Sequence, residues 1–430
     1  MNKKSRDVMV IGFALFAMFF GAGNLIFPVY LGKISGSSYW QAIIGFVITA
    51  TGLPFLGIIA GIKAGGSAEK VASKLDKGFA VLIITALTLC IGPLFAIPRT
   101  AATTYEMSIK PFFSGINPII FYCIYFLINI IFVMKPSKII DIIGFVLTPV
   151  LFLTLAILIV KGIINPIAAP VSVNSSHIFS KSLAEGYQTM DAMAAVIFSS
   201  IILSSAIQKG YKSEKEIIDV TRKSGFVAIG GLALVYGGLV YIGSQASGLI
   251  SGDIEKVELV IEVSKRILGN QGMLVLAIAV SLACFTTSIG LITTASQYFE
   301  RLTNGKLKYS INVIWISFMS TLIAYLGVDK IIKLAGPVLD ILYPIIIILI
   351  ISTLLDRFVK DDKVVSGTVY TTFAITLVDT LNIFGLRKVT SHLPFANIGF
   401  CWVVPAVIVF IFLDIKYSME IHQKLNFDER

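Results

Sequence analysis

Mostly apolar stretches alternate with short polar runs along the chain, at roughly 8–30, 40–62, 78–102, 116–134, 139–161, 183–206, 224–245, 271–298, 310–327, 334–355, 366–384 and 395–414. A helix crosses about 30 Å of hydrocarbon with about 20 predominantly apolar residues. The pattern therefore predicts an all-α integral membrane protein of about 12 transmembrane helices. Composition agrees: 56% of the residues are hydrophobic and 14% charged, against about 25% charged in soluble domains. The first stretch is too long for a secretory signal and lacks a small-residue cleavage site. No low-complexity tract divides the chain, so residues 1–430 form one expected transmembrane domain.

The net charge of +10 does not indicate a nucleic-acid partner, because the basic residues are spread through the polar runs. With the N-terminus placed inside, 23 of the 35 lysines and arginines fall in inside segments. That bias predicts cytoplasmic N- and C-termini. The four cysteines, Cys90, Cys123, Cys284 and Cys401, lie in apolar stretches without metal-like spacing and are expected as buried free thiols. No metalloprotease, nucleophile-elbow or Walker motif is present, and the three histidines stand apart, so the expectation is a non-enzyme.

Two stretches carry residues that suit hydrocarbon poorly. The first contains Gly21-Ala22-Gly23-Asn24 ahead of Pro28, and the sixth contains Glu185-Gly186-Tyr187-Gln188-Thr189-Met190-Asp191. Glycine weakens a helix by about 1 kcal/mol against alanine. A broken membrane helix persists only where its freed backbone groups face protein or a wet cavity. A faint internal echo links stretches five apart. Cys90, Thr100-Ala101 and Glu106 align with Cys284, Thr294-Ala295 and Glu300, and Gly144-Phe145-Val146-Leu147 with Gly336-Pro337-Val338-Leu339. This predicts a 5+5 inverted repeat (about 8–161 and 183–355) plus two accessory helices (about 366–414), with helices 1 and 6 both unwound at a midplane site.

The chemistry of the candidates follows from their type. Freed N–H groups of Gly21, Ala22 and Gly23 at a half-helix start favour a carboxylate, and carbonyls at the end of the preceding half favour a cation. Asp191 sits too deep to reach water easily, and such a carboxylate serves a cation, a proton or a substrate ammonium, or else pairs with a base such as Arg99. Thr286, Thr287 and Ser288, beside Gly290 and one turn after Ala283, offer neutral oxygens to a hard cation such as Na⁺ or bond back to their own helix. Arg99, near the outer end of the third stretch, is a candidate gate, a substrate contact or a snorkelling interfacial residue. Asp141 and Asp340 are expected to cap or pair, and Asp379 has no assigned role.

Taken together, Gly21-Ala22-Gly23-Asn24-Leu25-Ile26-Phe27-Pro28, Ile91-Gly92-Pro93-Leu94-Phe95-Ala96-Ile97-Pro98-Arg99-Thr100, Tyr187-Gln188-Thr189-Met190-Asp191 and Cys284-Phe285-Thr286-Thr287-Ser288-Ile289-Gly290 resemble the prokaryotic branched-chain amino acid:cation symporter family. The resemblance implies the LeuT-type fold of the amino acid–polyamine–cation superfamily. It also implies uptake of leucine, isoleucine and valine with Na⁺ or H⁺ across a prokaryotic plasma membrane. Carried over residue by residue, it implies a Na⁺ site from the Ala17, Phe20 and Ala283 carbonyls with the Thr286 and Thr287 hydroxyls. Asn24 and Thr189 match a second Na⁺ site. The first stretch needs a one-residue deletion after Asn24, and Asp191 falls near a neutral residue of the pattern, which leaves the second ion site and the stoichiometry open. The substrate side chain is expected among Phe95, Ile97 and Tyr187. No cofactor and no obligatory protein partner are expected, only substrate, coupling ion and lipid. A proton-coupled carrier using Asp191, a channel and a transporter-fold sensor are the alternatives.

Overall fold

The computed structural model describes residues 3–134, 143–173, 177–250, 252, 254–359 and 361–428, and every regular element among them is helical. Asp141 and the start of the fifth expected stretch lie outside the described residues. The first stretch consists of α1 (Lys3–Phe19) and α2 (Ala22–Ser35). A π turn at Ile48–Gly52 joins α3 (Tyr39–Val47) to α4 (Leu53–Lys63). The third stretch is bent. α5 (Lys77–Leu89) passes through a π turn at Cys90–Leu94, where Gly92 leaves helical geometry at φ −87°, ψ −123°, into α6 (Ala96–Thr104). Pro93 lacks the N–H that a straight ladder would use there.

α7 (Pro118–Val133) and α8 (Thr148–Ile164) follow. The sixth stretch is again a pair, α9 (Ile178–Tyr187) and α10 (Asp191–Gln208). Next come α11 (Glu214–Ser244), the amphipathic α12 (Lys256–Leu268), α13 (Asn270–Leu302), α14 (Tyr309–Ala324) and α15 (Val328–Leu354). α16 (Asp362–Leu381) and α17 (Val403–Asp428) close the chain. α11 starts cleanly because Ser213 accepts the Glu216 N–H and two glutamates fill the first turn.

Among the described residues, seven helical stretches are long and apolar enough to cross a membrane, and α7, α8 and α14 are shorter apolar helices. Exposed Ile120, Leu127, Leu153, Leu234, Phe318 and Phe412 give the exterior an apolar surface suited to lipid. Cys123 is also exposed, unlike the other three cysteines; it shares α7 with the outward Ile120 and Leu127. Inside, α1 and α2 lie along α11, α10 packs on α4, α9 on α3, and α13 on α6 and α8. Phe16, Phe20, Phe27 and Tyr236 are fully buried between these helices. α16 packs between α15 and α17.

Candidate functional site

α1 ends where its ladder runs out. The Phe20 N–H donates to Phe16 O at 2.8 Å, and the Gly21 N–H turns back to Phe19 O at 2.8 Å and to Asn24 Oδ1 at 3.2 Å. Gly21 is extended (φ −107°, ψ −159°), and α2 restarts at Ala22. The break is therefore confined to Phe20 and Gly21, shorter than the glycine run suggests, and Gly23 is already helical. A helix end leaves four carbonyls without intrahelical donors. One of them, Ala17 O, receives the Thr286 hydroxyl at 2.9 Å and the Thr287 hydroxyl at 3.2 Å. Thr286 Oγ1 also lies 2.9 Å from Leu282 O and 3.0 Å from Ala283 O. A threonine carries one hydroxyl proton, so this spot holds more acceptors than donors. Neither hydroxyl donates to Phe20.

The second break falls later than its glycine. Gly186 is helical within α9, and a Cβ there would lie 1.8 Å from Thr49 Oγ1, so its small size serves close packing against α3 and the π turn. The chain leaves the helix at Gln188 and Thr189 and turns through Met190, a left-handed residue with φ 66°, ψ 9°. Asp191 then opens α10, where a carboxylate complements the helix N-terminus. The Thr189 hydroxyl donates to Gly186 O at 2.8 Å and accepts the Asp191 N–H at 3.4 Å.

Asn24 joins the two breaks. Its Oδ1 is held by Gly21, while Nδ2 donates to Asp191 Oδ2 and to the Tyr236 hydroxyl, both at 2.5 Å. The Tyr236 hydroxyl also lies 3.4 Å from Asp191 Oδ2, and the Ala192 N–H reaches the Tyr343 hydroxyl at 3.3 Å. Asn24, Thr189 and Asp191 are all buried. The polar atoms of Asn24 and Thr189 thus already have protein partners. Tyr236 and Tyr343 were not singled out by sequence reasoning, since a tyrosine within an apolar stretch looks like core; their hydroxyls are the only signal they carry.

Arg99 is buried (3% exposed) rather than at an interface. The bend at Gly92 to Phe95 turns α6 inward, and the guanidinium lies between the two breaks, against Gly23 of the first and Gln188 of the second. There Nη1 donates to Gln188 O at 2.9 Å and Cζ lies 5.6 Å over the Phe27 ring. A narrow cavity with about 20 Å³ of free space is lined by Gly21, Ala22, Asn24, Arg99, Thr189, Asp191 and Thr287, with apolar walls from Met18, Ile91, Ala194, Phe198 and Leu291. Phe95, Ile97 and Tyr187 do not line it. Ile97 is buried in the core beside it, and Tyr187 stacks on Tyr343 at 4.4 Å. Their neighbours Ile91 and Ala96 face the cavity instead, because the bent third stretch presents a different side from a straight helix.

A wider opening of about 440 Å³ is lined by Tyr30, Lys181, Glu185, Gln188 and Asp340 among others. Lys256 of α12 pairs with Glu185 at 3.2 Å and lies over the Phe27 and Tyr30 rings.

Residues 4–420 match the model of a family described as branched-chain amino acid transport protein. The chain is 34% identical to the branched-chain amino acid permease BraB of Bacillus subtilis (strain 168), covering 94% of each protein. It is 37% identical to the branched-chain amino acid permease BrnQ of the same organism, over 95% of this chain and 96% of the relative. Among solved structures it is similar to Mhp1, a nucleobase-cation-symport-1 family transporter, with TM-score 0.59 at 15% identity, covering 96% and 93% of the two chains. It is also similar to MhsT in complex with L-phenylalanine, with TM-score 0.56 at 16% identity, covering 93% and 98%. At such identities the likeness concerns the fold, which is of the LeuT type.

Proposed function

The chain belongs to the branched-chain amino acid transport protein family, whose members are transporters and not enzymes, and on that premise we propose that it imports leucine, isoleucine and valine by Na⁺ symport through alternating access. One observation carries the ion assignment: the Ala17 carbonyl, freed by the end of α1, meets two threonine hydroxyls of α13. Hard cations take oxygen ligands, and Ala17, Ala283, Thr286 and Thr287 supply them, with Phe20 O, three residues on from Ala17, as a further candidate. A second ion held by Asn24 and Thr189 would have to displace hydrogen bonds those residues already make, so a single ion is the simpler reading.

The substrate carboxylate meets the first free N–H groups of α2, and its ammonium lies near Asp191 and the carbonyls ending α9. Its aliphatic chain enters the wall of Met18, Ile91, Ala194, Phe198 and Leu291. One methylene separates aliphatic substrates by about 1–3 kcal/mol, so uptake of the three amino acids overlaps. An ion crossing 100 mV contributes about 2.3 kcal/mol, which sustains roughly 50-fold accumulation. We place the protein in a prokaryotic plasma membrane as one domain of twelve spans, five plus five inverted and two accessory, with both termini cytoplasmic.

Counterflow and uptake of labelled leucine in proteoliposomes test this. A sodium gradient stimulates wild-type uptake, and Thr286→Ala with Thr287→Ala abolishes the stimulation. Sodium stimulation surviving in the double variant removes the ion site. Because Asp191 is buried at the second break, a proton-driven carrier is the second reading; it takes over if a proton gradient alone drives uptake and sodium does nothing.

A further inference from the structure

The cavity contains two buried ionisable side chains whose situations differ. Asp191 receives neutral donors from Asn24 and Tyr236. Arg99 has no carboxylate within hydrogen-bond or ion-pair reach among the described residues, and Asp191, lining the same cavity, acts on it only through space. Its guanidinium carries five N–H donors, of which Nη1 is matched to Gln188 O, while Nε is buried without any partner. A buried charge left unpaired is costly, and a buried arginine aimed into a cavity is completed by an anion. Carboxylate geometry suits it, through two parallel hydrogen bonds.

The neighbourhood agrees with that occupant. A Cβ added at Gly23 would lie 2.8 Å from Nη2, so the guanidinium rests directly against the first turn of α2. The unpaired N–H groups and dipole of that turn favour the same anionic group. Gly23 is thereby explained as room for Arg99 rather than as part of the helix break. Two independent positive features converge on one corner of the cavity, and Asp191, held by Asn24 and Tyr236, supplies the opposite charge in the same cavity.

We propose that Arg99 is a resident cation that binds the carboxylate of the transported amino acid, together with the first turn of α2. This rests on the amino-acid transport reading above and adds a specificity residue to it. A substrate must then keep a free carboxylate, while its side chain is free to vary among aliphatic groups. The Phe27 ring lies 5.6 Å from the guanidinium carbon and adds a cation–π contact that helps hold the group beside α2.

Binding of labelled leucine to the purified full-length protein, competed with unlabelled leucine or leucinamide, tests the proposal. In the wild type leucinamide competes about 10- to 100-fold less well, the range for hydrogen bonds to a charged group. Arg99→Gln weakens leucine by a similar factor and removes the preference between the two compounds, and Arg99→Lys restores part of it. A wild type that accepts leucinamide as readily as leucine overturns the proposal without any variant, which covers an Arg99→Gln chain that fails to fold. So does a folded Arg99→Gln protein that keeps the wild-type preference. A wild type that binds no leucine at all instead overturns the transport reading on which the proposal stands.

Discussion

The two helix interruptions reach similar ends by different means. At the first, Gly21 stays within ordinary extended backbone, and the absence of side chains there and at Gly23 lets other groups come close: Thr287 Oγ1 lies 2.9 Å from where a Gly21 Cβ would be, and Arg99 Nη2 occupies the same relation to Gly23. At the second, the glycine is taken up by packing against Thr49, and the reversal is forced on Met190 in the left-handed region. A non-glycine residue pays about 1–2 kcal/mol there. The first break is shaped by room, the second by strain held in place by its surroundings. Both breaks line the cavity, but only the second holds a left-handed non-glycine residue.

The largest test of that contrast is Gly21→Ala. The backbone accepts alanine, but the methyl presses on Thr287, so sodium stimulation of leucine uptake falls about 10-fold or more, as expected for a loss of at least 1.4 kcal/mol, while thermal unfolding in detergent barely changes. A stability loss with intact sodium dependence would reverse the assignment of roles. Met190→Ile keeps the side chain apolar but adds a β-branch at a left-handed residue. It lowers stability by about 1–2 kcal/mol, seen as an earlier unfolding midpoint; an unchanged midpoint means that the strain is not there.

The smallest effect is expected far from both breaks, where Lys74 and Asp356 pair at 2.6 Å. The lysine holds the Asp356 carboxyl below its ordinary range. A carboxyl depressed in the folded state contributes stability above its unfolded range near 4 and loses it as pH falls through the lower folded value. Asp356→Asn thus costs under about 1 kcal/mol, and the loss is the same at pH 7 and pH 5. A loss that disappears at pH 5 would show that the pair is not the cause.

Much of the helical framework is legible in the order of residues, because apolar runs this long have few alternatives in lipid. Gly21 and Asn24 also stand out, since both are out of place in hydrocarbon. The location of the second break is less visible: Gly186 attracts attention as a helix breaker, yet no residue type announces that the following methionine will turn left-handed. Arg99 misleads for a related reason. With the stretch taken to end near residue 102 it falls close to one end, but the helical run continues to Ile109, and the bend at Gly92 and Pro93 changes the direction in which it points. The exchange of Phe95 and Ile97 for Ile91 and Ala96 on the cavity wall has the same origin. Tyr236 and Tyr343 are hidden by their own hydrophobicity, with a single oxygen each to betray them.

Asn24 has a consequence that reaches beyond hydrogen-bond satisfaction. Its one amide spends its oxygen on the turn before α2 and its nitrogen on the head of α10 and on the middle of α11. It works as a clasp across three helices: a tilt of any one would either drag the other two or spring the fastening. Opening and closing of the passage would then be a concerted event with a threshold, rather than a gradual slackening of independent rods.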